Sequence, residues 1–273
     1  MTQGSQDKPK STVLSIFAHP DDEAFGSGGT LAELVRKGHK MTTVCATNGD
    51  VGEISDPALA TPENLWQVRQ EEMRRAMTVT GIKDVRFLGY RDSGMDGTPD
   101  NDNTSSLFQA DPAKVEAEIS ALLDELQPDI VFTHDPTGGY GHPDHVTVYR
   151  RTLAVINAMT GKRPHLYYVC FPRENFKRLW HEMTDAGITP PFAKEQLDDI
   201  GSPDDFITTV RDVSDYVEIK KESLSHHQTQ IDPNGPFGKL APLVLTAWMS
   251  TEYFYLDQPN NGETHEDILS DLV

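Results

Sequence analysis

Thr12–Leu31 reads TVLSIFAHPDDEAFGSGGTL, and the change of character at His19 decides how the chain is organised. Thr12–Ala18 is a short, nearly continuous apolar run, as expected for a parallel strand covered on both faces. His19–Gly29 reads as a loop rich in acid and glycine. Thr30–Lys37 reads as helix, with Leu31, Leu34 and Val35 at helical spacing and Gly38 as its stop. The unit then recurs. Strands are predicted over Met41–Thr47, Val85–Leu88, Ile130–Thr133 and Leu166–Phe171. Helices are predicted from Thr61-Pro62 to Gly81, from Asp111-Pro112 with Val115, Ile119, Leu122, Leu123 and Leu126 on one face, and over Asp144–Ala158. This alternation implies an α/β fold: a Rossmann-like open parallel sheet, flanked by helices on both faces, with right-handed crossovers. Residues 1–171 carry that core. Over residues 172–273 the rhythm loosens into an acidic segment (Thr189–Asp205), a helix near Asp212–His226 and a Pro/Gly loop (Asp232–Pro242). That C-terminal extension is expected to complete the same domain as a cap or side element covering the substrate site.

The 273 residues carry a formal charge of −19, which repels phosphate backbones and anionic membrane surfaces. The expected partner is therefore a small molecule, with no nucleic acid and no membrane; a homo-oligomer is compatible with the same surface. Cys45 and Cys170 each sit in a strand-like run, far from any Cys-x-x-Cys spacing, and read as buried reduced thiols. Met1–Lys10 is polar, and no later segment has the length of a membrane span, so a cytoplasmic location is expected.

In an open parallel sheet the ligand sits at the carboxyl ends of the strands. Two chemically loaded loops fall on that edge: His19-Pro20-Asp21-Asp22-Glu23 after the first strand and His142-Pro143-Asp144-His145 after the fourth. A catalytic zinc takes three nitrogen or oxygen ligands and keeps an open position, whereas a structural one is closed and commonly cysteine-rich. His19, Asp22 and His145 fit the open type. Bound there, the ion lowers the pKa of its water from about 15.7 to about 7 and polarises a carbonyl. Two adjacent aspartates cannot both point at one metal along a tight turn, so Asp22 is assigned to the ion and Asp21 to the base. His142, protonated beside this acidic cluster, is expected to stabilise the oxyanion and hand a proton to the leaving amine.

AHPDDE and GHPDH, in that order and context, resemble the LmbE-like deacetylases, also called the PIG-L family. The similarity extends through TNGDVGE (Thr47–Glu53), Arg69 with Glu72, and RDSGM (Arg91–Met95), and returns in His227-Gln228-Thr229-Gln230. The resemblance implies a zinc-dependent enzyme, with Fe2+ as the other occupant to consider, that removes an acetyl group from an N-acetylglucosamine-containing small molecule. Within the family the pattern is nearest the bacterial enzymes acting on N-acetylglucosaminyl-inositol. The resemblance gives His19, Asp22 and His145 the metal and Asp21 the base role. It makes His142 the oxyanion partner, has Arg69 and Asp92 hold the substrate, and brings Tyr140 to the reaction centre.

Simpler readings compete at several positions. Gly26-Ser27-Gly28-Gly29 fails as a dinucleotide loop because Leu31 stands where the third glycine belongs. Asp92–Asn103 lacks the closing glutamate of a calcium loop. Arg69 and Glu72 lie three apart on a helix, as an ordinary surface ion pair would. His134 reads equally as a support for a ligand or as loop packing. Two rivals to the deacetylase are a hydrolase of another amide or ester, and a carbohydrate-binding protein with a purely structural metal.

Overall fold

Val13, Leu14, Ile16 and Phe17 are all fully covered, and their alternation explains the two faces of the sheet. In the computed structural model, which describes residues 10–258 and 266–272, they belong to β1 (Thr12–Phe17). The polar lead-in before Lys10 lies outside the described residues. Strands β2 (Lys40–Thr47), β3 (Asp84–Tyr90), β4 (Ile130–His134), β5 (His165–Cys170), β6 (Thr209–Asp212) and β7 (Thr251–Leu256) complete one sheet of order β3-β2-β1-β4-β5-β7-β6. Leu14, Ile16, Val44, Val131, Leu166 and Tyr168 pack against helices α3 (Pro112–Leu126) and α5 (Pro143–Ala158). Val13, Phe17, Met41, Ile130, Phe132 and Tyr167 pack against α1 (Asp22–Arg36) and α2 (Leu65–Thr80). Each such side chain contributes roughly 1.5–3 kcal/mol by leaving water, which is why the strands read as unbroken apolar runs.

The strands from β3 to β5 are parallel, as expected. Beyond Cys170 the side element adds two antiparallel strands to this parallel sheet: β7 runs antiparallel to β5 and β6 antiparallel to β7. β7 (TEYFYL) buries Glu252, Phe254 and Leu256 and half-exposes the residues between, the period-two pattern of a strand with one wetter face. The remaining helices are a single turn α4 (Gly138–Gly141), then α6 (Arg173–Asp185), α7 (Val217–Ser225), α8 (Pro242–Met249) and the short α9 (Leu269–Leu272). Among the described residues no helix is long and apolar enough to cross a membrane. Cys45 and Cys170 are buried free thiols.

A second correction concerns α1, which begins at Asp22 and not at Thr30, so the glycines expected in a loop are helical. Each glycine in a helix costs about 0.5–1 kcal/mol relative to alanine. Close packing outweighs that cost: a Cβ on Gly26 would lie 2.3 Å from Val169 Cγ1, and one on Gly29 2.7 Å from Val213 Cβ. The chain builds outward from β1 to β3 on one side and from β4 to β5 on the other. The loops after β1 and β4 therefore meet at the point where the strand order reverses, where open sheets of this kind leave a crevice.

Candidate metal centre

Where β1 ends, the chain folds into a tight turn closed by its own acid: the His19 amide donates to Asp22 Oδ2 at 2.7 Å. Asp21 sits at φ 132°, a region that residues with a Cβ avoid, at a cost of order 1–3 kcal/mol. The strain puts Asp21 and Asp22 side by side at the start of α1, where the helix dipole favours negative charge. On the other side, Gly138 takes φ 64°, and a Cβ there would come within 2.9 Å of His145 Cβ. His142 then caps α5, its Nδ1 accepting the Asp144 amide at 3.2 Å, with Pro143 in the first turn.

The tautomers of two imidazoles follow from their partners. His19 Nε2 lies 3.2 Å from Asp144 Oδ2, and His145 Nδ1 lies 3.0 Å from the Gly138 carbonyl oxygen. Neither oxygen donates, so each of those nitrogens carries the hydrogen, and His19 Nδ1 and His145 Nε2 are left as bare lone pairs. These two atoms face each other at 3.0 Å. Asp22 Oδ1 is 3.3 Å from His145 Nε2, and Asp22 Oδ2 is 3.6 Å from His19 Nδ1. Three converging acceptors repel unless a cation sits among them. A tetrahedral zinc with bonds of about 2.0–2.2 Å separates its ligands by about 3.3–3.6 Å; the two Asp22 separations lie in that range, and the two imidazole nitrogens, at 3.0 Å, would have to part by about 0.3 Å to admit such an ion. Without an ion a proton answers the same charge: burial lowers the His19 pKa, but the Asp92, Asp144 and Asp22 carboxylates outweigh it and hold it well above the usual histidine range.

Asp21 stands beside this set and lines the adjoining cavity. Burial pushes its pKa up to about 6, with Arg69 opposing and Asp22 adding, which suits a base working near neutrality. Arg69, expected at the substrate, is buried behind Asp21. It donates Nη2 to the Asp21 carboxylate at 3.2 Å and to the Pro20 carbonyl at 2.8 Å, and Nη1 to the Gly49 carbonyl at 2.9 Å. The competing reading of a surface ion pair with Glu72 fails: both residues are buried, and Glu72 instead accepts the Thr229 amide and hydroxyl. Asp92 is buried 3.6 Å from His19 Nε2 and accepts the Gly94 amide. Tyr140 is partly exposed, its ring 5.2 Å from that of His145 and 6.2 Å from that of His142.

The expected protonated state of His142 needs correction. Burial pushes its pKa down to about 2, with His19 and His145 adding to the effect and Asp92 and Asp22 opposing it. It is a neutral imidazole, and because its Nδ1 accepts the Asp144 amide, its hydrogen is on Nε2, 4.0 Å from Asp92 Oδ1.

Further side chains hold these groups in place, most of them with no role assigned from sequence. Asp144, fully buried, holds His19 and is itself held by the Ser93 amide at 2.9 Å and the Ser93 hydroxyl. Glu23, also fully buried, accepts the Asp21 amide at 3.0 Å and pairs with His227 Nε2 at 3.0 Å, and Gln230 donates to the Glu53 carbonyl at 2.8 Å. The HQTQ element thus ties the last third to the metal loop and to α2; it was visible as a motif, but nothing local to it indicated a role. His134 accepts the Ala18 amide at 3.0 Å and stacks on His145 at 4.0 Å between centroids, so it packs against that imidazole.

A family profile described as PIG-L, GlcNAc-PI de-N-acetylase, matches residues 14–156, the segment that contains both loops. The chain belongs to the PIG-L family. Among its PIG-L relatives, a protein of Thermobifida fusca named 1D-myo-inositol 2-acetamido-2-deoxy-alpha-D-glucopyranoside deacetylase is 36% identical, covering 92% of this chain and 95% of its own. One of the same name from Geodermatophilus obscurus is 33% identical, covering 93% and 94%. The solved N,N'-diacetylchitobiose deacetylase of Pyrococcus horikoshii superposes with a TM-score of 0.61 over 90% of this chain and 84% of its own, at 22% identity. That likeness shows a shared fold.

Proposed function

We propose that this PIG-L enzyme hydrolyses the N-acetyl amide of an N-acetylglucosaminyl-inositol, using a zinc ion, or Fe2+ in its place, held by His19, Asp22 and His145. The observation that carries the reading is the meeting of two bare imidazole nitrogens and one carboxylate beside a second carboxylate left out of the set. A divalent ion held there supplies Lewis acidity, which makes water a nucleophile near neutral pH and polarises a carbonyl. The protein's own groups do the rest. Asp21 takes the proton of the attacking water, its carboxylate held by Arg69. The neutral His142 donates from Nε2 to the carbonyl oxygen as negative charge grows on it, a contribution worth about 10²–10³ in rate when such a donor is preset. Asp21 then returns its proton to the leaving amine, a transfer that a neutral His142 does not supply. Asp92 holds the sugar, and Tyr140, on its glycine-flanked turn, closes over the reacting carbonyl.

Residues beyond Cys170 cover the substrate site in this reading, since Phe192, Phe237 and Trp248 stand in the same cavity as Asp21. The two free thiols suit a reducing compartment such as the cytoplasm. The test is acetate release from N-acetylglucosaminyl-inositol beside free N-acetylglucosamine and its short oligomers, before and after chelation and on return of zinc. Release that is lost to the chelator and restored by the metal is expected. A metal-loaded protein that frees no acetate from any of them overturns the proposal, and release equal on all of them removes the inositol.

A further inference from the structure

The cavity that opens from Asp21, Asp22 and His145 is lined mainly by aromatic rings. Its volume is about 210 Å3. A water-sized body needs only about 10–15 Å3 of such space, so the methyl of an acetyl group leaves most of it empty. One wall is a run of rings, Tyr140 to Phe192 at 6.4 Å between centroids, Phe192 to Phe176 at 5.8 Å and Phe176 to Phe171 at 5.9 Å. The facing wall runs from Phe25 to Phe237 at 6.5 Å and on to Trp248 at 5.8 Å. Apart from the Trp248 indole N–H, its polar side chains are Asp21, Asp22, His134, His145 and Tyr140, the group gathered around the two loops. Asp92 lies on the other side of His19, with its own amide on Asp50 Oδ1 at 2.9 Å. An amide has two arms. Sugar hydroxyls in the ring-lined cavity would lose water without gaining partners, whereas the carboxylate side offers acceptors.

We infer that the ring-lined cavity receives the acyl arm, and that the enzyme hydrolyses N-acyl glucosamine conjugates whose acyl group is longer than acetyl, with a straight chain of about four to six carbons filling it better. The inference rests on the amidase reading above and deepens it. The chemistry is unchanged: water adds to the carbonyl carbon, the C–N bond breaks, and the products are the free amine and the longer carboxylate. Five of the rings, Phe171, Phe176, Phe192, Phe237 and Trp248, come from beyond Cys170, which puts the choice of acyl group in the last third of the chain.

The experiment follows amine release from the N-acetyl, N-butanoyl, N-hexanoyl and N-octanoyl forms of one glucosaminyl-inositol by the metal-loaded protein, with the hexyl glycoside of N-acetylglucosamine as the competing placement. Each buried methylene is worth up to about fourfold in kcat/KM, so the hexanoyl amide is expected to exceed the acetyl one by at least tenfold. In Phe192→Glu the ratio of hexanoyl to acetyl turnover is expected to fall toward one. Acetyl turnover equal to or faster than butanoyl and hexanoyl overturns the inference while leaving deacetylation standing. A gain on the hexyl glycoside larger than on the hexanoyl amide overturns the acyl placement. Absence of turnover on every member overturns the amidase reading together with this one.

Discussion

From β3 to β5 the strands run parallel, and the loops at their carboxyl edge bring the groups proposed to react: His19, Asp21, Asp22, Asp92, His142 and His145 all precede Cys170. Beyond Cys170 the strands run antiparallel and the chain brings rings and braces. His227 pairs with the fully buried Glu23, next in sequence to Asp22. Glu252, also almost wholly buried, accepts the Gly29 and Thr30 amides and the Lys220 ammonium, each at 2.8 Å, and so pins α1 from behind. One region supplies the atoms of the chemistry and the other fixes where they stand. Substitutions in the first should therefore act on rate, and substitutions in the second on stability as well.

That division is easiest to break at its extremes. Asp21→Asn should lower kcat by about 10²–10⁴ while bound metal and melting temperature hold, as the loss of a general base does; loss of metal at the same time would place Asp21 in the ligand set and end the division. His227→Ala removes the partner of a buried carboxylate, which costs about 3–5 kcal/mol, read as a lower urea midpoint at unchanged slope. An unchanged midpoint would mean that the last third does not brace the metal loop. Asp144→Asn tests a support that lies within the first region. It keeps an oxygen near His19 Nε2 but weakens the pull on its hydrogen, and should cost about 10–100-fold in zinc affinity by chelator competition. Unchanged affinity would show that Ser93 and Asp144 merely fill space.

The parallel half was legible because burial on both faces writes apolar runs into the sequence, and because two short motifs carry their ligands within four residues of each other. The converging residues His19, Asp21, Asp22, His142 and His145 were named from those motifs and Asp92 from the resemblance carried by RDSGM, although the charge state of His142 was not: neutrality comes from burial among other imidazoles, which a motif does not encode. β6 and β7 escaped because the first is only four residues long and the second pairs with a strand some eighty residues earlier. The start of α1 escaped because glycine's low helix propensity pointed the wrong way. Glu23 and Glu72 look like any surface acids until residues 227–229 arrive to cover them.

The smallest test separates propensity from packing on α1, where the two regions touch. Alanine gains about 0.8–1 kcal/mol over glycine inside a helix. At Gly28 the nearest atom to an added Cβ is Lys220 Cγ at 3.3 Å, on an unbranched stem tethered only at its ammonium, so that a shift of a few tenths of an ångström suffices. At Gly29 the neighbours are Val213 Cβ and Cγ2 at 2.7 Å, on a side chain that is wholly buried. Overpacking of that kind costs about 1–3 kcal/mol, so Gly29→Ala should destabilise by a net of about 0–2 kcal/mol whereas Gly28→Ala is neutral or slightly stabilising. The order of the two urea midpoints is the result that matters. If Gly29→Ala is the more stable of the pair, the contact between α1 and the last third is looser than Val213 implies, and glycine at this position serves something other than close approach.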